Sequence, residues 1–159
     1  MVKNGFLVAG LLVLISGCGL AVGPAALIGS DDNGNGVRDS VDRYFVDDLK
    51  VLPAPLRRAA YELARAYEQV LRIELSDRRA VYRVGDQMSL ATACLYSTAR
   101  DHPGPIAPGL LSRAIENRTY NSTARVKRLR AFSKLQDGRV WVHPDDRGCS
   151  ALSEFQLAQ

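Results

Sequence analysis

Twelve residues, Asp31-Asp32-Asn33-Gly34-Asn35-Gly36-Val37-Arg38-Asp39-Ser40-Val41-Asp42, constrain this chain more than any other stretch. Counted from Asp31, oxygen-bearing side chains fall at loop positions 1, 3, 5, 9 and 12, with Gly36 at position 6. A hard divalent cation such as Ca²⁺ takes about six to eight oxygens. A short loop supplies that many only if alternate residues turn inward and the backbone then bends sharply. Asp31, Asn33 and Asn35 offer side-chain oxygens, Val37 its backbone carbonyl, Asp39 a direct or water-mediated contact, and Asp42 closes the shell. Gly36 permits the bend because it reaches positive φ without a Cβ clash. The register is unambiguous: starting at Asp32 places Gly34 and Gly36 at positions 3 and 5, where neither has an oxygen to offer. The competing reading is an ordinary polar linker, since Gly, Asn and Asp also dominate turns.

The pattern resembles the calcium loop and exit helix of the EF-hand family, which implies one bound Ca²⁺ held by Asp31, Asn33, Asn35, Val37, Asp39 and Asp42. Position 12 departs from the usual bidentate Glu, and Asp42 is one methylene shorter. Dockerin-type loops also carry Asp there and favour Asn at position 3. Residues 21–30 are small and apolar and contain Gly23, Pro24 and Gly29, so no amphipathic entering helix is expected. The resemblance is to half an EF-hand.

Upstream, Lys3 precedes the apolar run Phe6–Ile15, followed by Leu14-Ile15-Ser16-Gly17-Cys18. This resembles a bacterial lipobox, with a short apolar core, two small residues that extend into a peptidase, and a cysteine that takes lipid. The resemblance implies a signal peptide over residues 1–17, lipidation of Cys18 and attachment to the cell envelope through that lipid. Gly19 in place of Asp favours the outer membrane, facing the periplasm. An ordinary secretory signal does not need a cysteine directly after Ser16-Gly17. An uncleaved anchor needs about 20 apolar residues, and four glycines and Pro24 interrupt residues 6–28. Residues 18–30 read as a short tether and residues 31–159 as the folded domain.

With Cys18 lipidated, Cys94 and Cys149 remain. Export compartments are oxidising, so an even pair reads as a disulfide, against two buried free thiols. A Cys/His metal site lacks support, because His102 and His143 come without C-x-x-C or H-x-x-x-H spacing.

Hydrophobic residues make up 47% and charged residues 24% of the 159, which places the chain among folded globular proteins rather than disordered ones. The periodicity predicts an all-α bundle of about five helices. Val41, Phe45 and Leu49 mark the first, running to about Lys50. Pro53 and Pro55 break the chain and start the second, with Leu56, Ala59, Ala60, Leu63, Tyr67, Val70 and Leu71 on one stripe. Ser76 is the expected N-cap of the third, whose stripe is Val81, Val84, Met88, Ala91, Leu95 and Thr98. A short helix over 110–117 follows a Pro/Gly loop. Asn121-Ser122-Thr123 caps a last long helix that Asp137-Gly138 stops. Val140-Trp141-Val142 reads as extended and the rest as loop to Cys149. Residues 50–159 resemble small uncharacterised proteobacterial lipoproteins with an Asn-Gly-Val-Arg-Asp loop near the N-terminus, a resemblance that implies no activity.

No G-x-S-x-G, P-loop or H-E-x-x-H set is present, so no catalytic residue is expected. The alternative is a small envelope hydrolase using His102 or His143. A net charge of +4 does not demand nucleic acid, and no nucleic-acid signature accompanies it. The last helix is basic, with Arg125, Lys127, Arg128, Arg130 and Lys134, then Arg139. Lys127, Arg130 and Lys134 share a face that is either solvated or set against anionic lipid or an acidic envelope partner. The leading expectation is an envelope lipoprotein with one structural Ca²⁺, in a binding or scaffold role.

Overall fold

A computed structural model describes residues 23–139 and 148–157. The lipobox with Cys18, the Val140–Val142 segment and His143 lie outside them. The described residues are all-α, without a strand. Seven α-helices run in order: α1 (Pro24–Ile28), α2 (Asp39–Asp47), α3 (Ala54–Arg72), α4 (Arg78–Asp101), α5 (Pro108–Thr119), α6 (Thr123–Leu135) and α7 (Gly148–Leu157). A 3₁₀ turn, Leu49–Val51, follows α2.

Helix α3 organises the rest. Every residue of its predicted stripe is buried, and Leu56, Leu63 and Leu71 are among the largest fully buried side chains. Each such leucine contributes about 1.5–3 kcal/mol by leaving water. Helix α4 packs along α3 with Val81, Val84, Ala91 and Leu95 inward, while α5 brings Leu111 and Ile115 to the same core. Prolines start α3 and α5 in their first turns, where the missing N–H costs nothing. Asp77, one residue past the expected Ser76, caps α4 by accepting from the Arg79 and Ala80 N–H groups. Ser122 caps α6 as its chemistry suggests.

Two helices depart from the expectation of about five. Residues 24–28 form α1, because Pro24 stands in the first turn, where proline favours a helix instead of breaking it. Leu27 packs on the core, so the segment read as a tether is docked from its C-terminal half onward. The stretch around and after Cys149, where no helix is expected, forms α7 and buries Leu152. Cys94 and Cys149 are joined by a disulfide, with Cα atoms 4.3 Å apart, which fastens α7 to α4.

Three arginines tie the bundle together by accepting none and donating to helix ends. Arg38 Nη2 donates to the Arg118 and Thr119 carbonyls at the end of α5, at 2.9 and 3.2 Å. Arg125 Nε donates to the Leu27 carbonyl at the end of α1 at 2.8 Å. Arg128 donates to the Val70 carbonyl at 3.0 Å and to that of Ile73, at the end of α3. Carbonyls at a helix C-terminus lack intrahelical donors and carry partial negative charge, so a guanidinium satisfies both needs. Arg139 likewise reaches Asp86 at 2.7 Å. Arg125, Arg128 and Arg139 therefore serve the fold, and Lys127, Arg130 and Lys134 remain exposed, without an ion pair among the described residues.

Candidate metal-binding loop

The loop from Asp31 to Asp42 leads from α1 into α2, and its last four residues are the first turn of α2. Gly36 has φ +86°, a conformation that L side chains rarely adopt, so glycine is required at the bend for its backbone. Gly29, at the end of α1, also has positive φ, and a Cβ there would lie 2.5 Å from Arg38 Cδ. Glycine at 29 thus lets Arg38 pass under the loop.

The side chains expected as ligands draw together at both ends of the loop. Asp31 accepts from the Asn35 and Gly36 N–H groups at 3.1 Å each. Asn33 and Asn35 turn back on the backbone through their Oδ1 atoms, accepting from Asn35 N at 3.0 Å and Val37 N at 2.8 Å. Their amide nitrogens both donate to Asp42 Oδ2, at 2.9 and 2.6 Å. Position 12 therefore closes over positions 3 and 5. Val37 presents its backbone to the loop and its side chain to the core, where it is fully buried. Asp39 instead accepts from the Asp32 N–H at 3.0 Å, and no cluster of three acidic, His or Cys side chains forms among the described residues.

The side chains of the loop are carboxylates and amides, the oxygen-bearing types that a hard cation prefers. The groups around Asp42 Oδ2 are the Asn33 and Asn35 amide nitrogens, and turning either amide to present its oxygen there gives up the bond that the oxygen accepts from the backbone. The two donated N–H groups occupy the side of Asp42 on which positive charge is favoured.

Helix α3 supplies what the sequence did not reveal. Tyr61 Oη donates to Asp42 Oδ1 at 2.6 Å, and Arg72 Nη2 contacts Asp31 Oδ2 at 2.9 Å. One helix thus holds the first and last carboxylates of the loop. Phe45 meets the Tyr61 ring edge-on, with centroids 4.9 Å apart, and fixes it. Burial first, then the hydrogen bond to Asp42, pushes the Tyr61 phenol well up, so it stays a proton donor at neutral pH. The only signal in the sequence was an aromatic and a cation on the α3 surface.

Arg38 at loop position 8 points away from the loop interior and into the protein, where it is 4% exposed. There it faces Glu68, which is fully buried, with Arg38 Nη1 3.8 Å from Glu68 Oε1. That is a charge contact rather than a hydrogen bond, and neither Glu68 oxygen has a hydrogen bond of good geometry. Burial pushes the Glu68 carboxyl up, while Arg38, Arg72 and Arg125 oppose the shift.

The histidine alternative gains no geometry. His102 is exposed at the end of α4, and no carboxylate or hydroxyl is hydrogen-bonded to its ring among the described residues. It borders a cavity of about 500 Å³ beside the Cys94–Cys149 bond, lined also by Glu62 and Ser153. No described helix is long and apolar enough to cross a membrane. No family model, curated protein or solved structure matches this chain, so the reading of the loop rests on its own residues and their arrangement.

Proposed function

We propose that the protein is an envelope-anchored lipoprotein whose loop 31–42 binds one Ca²⁺ as a structural ion, in a binding or scaffold role. The observation that supports this most directly is the closure of Asp42 over Asn33 and Asn35 in the register that the twelve-residue spacing requires. A lone loop ending in Asp, with Arg72 already neutralising part of the charge of Asp31, matches the weak affinity of extracellular calcium modules, about 10⁻⁴–10⁻³ M. Calcium would order the entry to α2 and leave the bundle as it is. The exposed Lys127, Arg130 and Lys134 suit an anionic lipid surface or an acidic envelope partner, each cation adding about 1 kcal/mol near such a surface at low salt.

Calorimetric titration with Ca²⁺, together with amide signals of residues 31–42, tests the metal reading. Binding in the millimolar range is expected, lost in Asp31→Ala and Asp42→Ala. If several millimolar Ca²⁺ moves none of those signals, the loop is a polar linker. Intact-mass analysis of membrane-extracted protein tests the anchor, with an acylated chain starting at Cys18 as the expected species.

A further inference from the structure

We propose that the groove between α2, the 3₁₀ turn and the start of α3 binds a single-chain amphiphilic anion, an anionic head on one apolar tail, whether or not the loop holds an ion. The groove encloses about 580 Å³, within the range of about 300–1,000 Å³ that small-molecule sites occupy. Its floor is apolar and is lined by Phe45, Val46 and the Tyr61 ring. The Tyr61 hydroxyl is already given to Asp42, and Phe45 fixes the ring edge-on, so the ring offers carbon to the groove. Val46 is 68% exposed, and Val51, next in the chain after Lys50, is 60% exposed. The core thus leaves two β-branched apolar side chains of this corner in water.

The charge on the groove has one sign. Lys50, Arg57 and Arg58 line it, and no carboxylate does among the described residues. Arg57 Nη1 donates to the Lys50 carbonyl at 3.3 Å, which keeps both residues on one wall. Lys50 and Arg58 are exposed and make no ion pair among the described residues. Helix α3 begins here with no acidic residue in its first turn, so no neighbouring side chain on that turn offsets the three cations. An anionic head complements them, and the floor of Phe45, Val46 and Tyr61 takes the tail. The walls are helical, and most of their backbone groups are spent inside the helices. An extended peptide finds few main-chain partners on such walls, whereas an alkyl tail needs none.

Titrating the full chain with dodecanoate below its micelle concentration, followed by the amide signals of Val46 and Lys50, tests the assignment. Octanoate shortens the tail, dodecyl maltoside removes the charge, and phosphatidylglycerol vesicles present anionic heads as a bilayer. Each methylene that leaves water adds up to roughly fourfold in affinity, so octanoate should bind at least about tenfold more weakly than dodecanoate. Dodecyl maltoside should also bind more weakly. Lys50→Gln with Arg58→Gln should weaken dodecanoate roughly three- to tenfold, and Val46→Gln roughly threefold. All three side chains are exposed, and melts check that the variants fold. Arg79→Gln with Arg113→Gln removes the same charge from exposed positions elsewhere and should leave the affinity unchanged. Equal weakening in that pair would mean that net charge alone attracts the anion, and the proposal falls. It falls too if the maltoside binds as well as dodecanoate, or if dodecanoate moves neither signal. Signals moved by the vesicles alone would give this surface to a bilayer and overturn the groove.

Discussion

The loop 31–42 and helix α7 both dock on the outside of the α3–α6 bundle, but different forces hold them. The loop is tied by charged and polar groups: Tyr61 on Asp42, Arg72 on Asp31 and Arg38 beneath. Helix α7 is tied by one covalent bond to α4 and by the buried Leu152. The first attachment runs through the carboxylates of Asp31 and Asp42. The second runs mainly through sulfur and carbon, with one carboxylate contact, Glu62 accepting from Gln156 at 2.9 Å. The difference teaches that the two regions are held by different chemistry, the loop by ion pairs and polar hydrogen bonds and α7 by a covalent bond and apolar burial, although both pack on one core.

The largest effect should come from the root of the loop. Arg38→Leu removes the donor at the end of α5 and leaves Glu68 buried beside a neutral side chain. Breaking a buried pair from one side costs about 3–5 kcal/mol. Urea denaturation should show a loss of that order. A loss below about 1 kcal/mol, the value of a surface pair, would mean that the loop is only laid on the bundle.

Next comes the other end. Cys94→Ser with Cys149→Ser should lower stability by about 2–4 kcal/mol, since the bond closes a long segment of chain. The comparison requires that this variant keep the wild-type response to Ca²⁺. A weakened response would show that α7 and the loop are coupled through α3.

The same contrast governs how much was legible in the sequence. Helices α2–α6 could be read because their apolar residues recur on one face, as Leu56–Leu71 and Val81–Leu95 do. The loop register could be read because it is local: position 12 meets positions 3 and 5 within one short segment. Helix α1 was hidden because Pro24 reads as a breaker until its place in the first turn is known. Helix α7 was hidden because its stripe is weak and the disulfide, rather than periodicity, seats it. Tyr61, Arg72 and the Arg38–Glu68 pair were invisible as loop partners, because the contacts join residues 19 and 41 positions apart for Asp42–Tyr61 and Asp31–Arg72. No spacing rule links a loop to a helix across that distance, and only the packing of α2 on α3 brings them together.

A smaller effect should come from the ion itself. At about ten times Kd, an ion that binds only the folded form raises stability by about 1–2 kcal/mol. Melts with Ca²⁺ and with chelator should differ by that amount in the wild type and in the double cysteine variant alike, and not at all in Asp31→Ala. Equal shifts in Asp31→Ala would place the ion elsewhere than in the loop.

The smallest effect is the pH response of Glu68, because burial and the three guanidinium groups of Arg38, Arg72 and Arg125 act in opposite directions. Burial prevails and raises the folded-state value above the ordinary 4.5. Between those two values the folded protein holds the proton and the unfolded chain has lost it. The unfolded state then binds fewer protons, so stability falls as pH rises through that window. The contribution is fully present below the ordinary value and is gone above the raised one. Glu68→Gln removes the titration while keeping the shape, so wild-type stability measured against this variant should decline from about pH 4.5 upward and then level off. The opposite slope, with the wild type gaining on the variant as pH rises, would show that the arginines outweigh burial. The guanidinium groups beneath the loop would then stabilise the ionised Glu68 by more than burial penalises it.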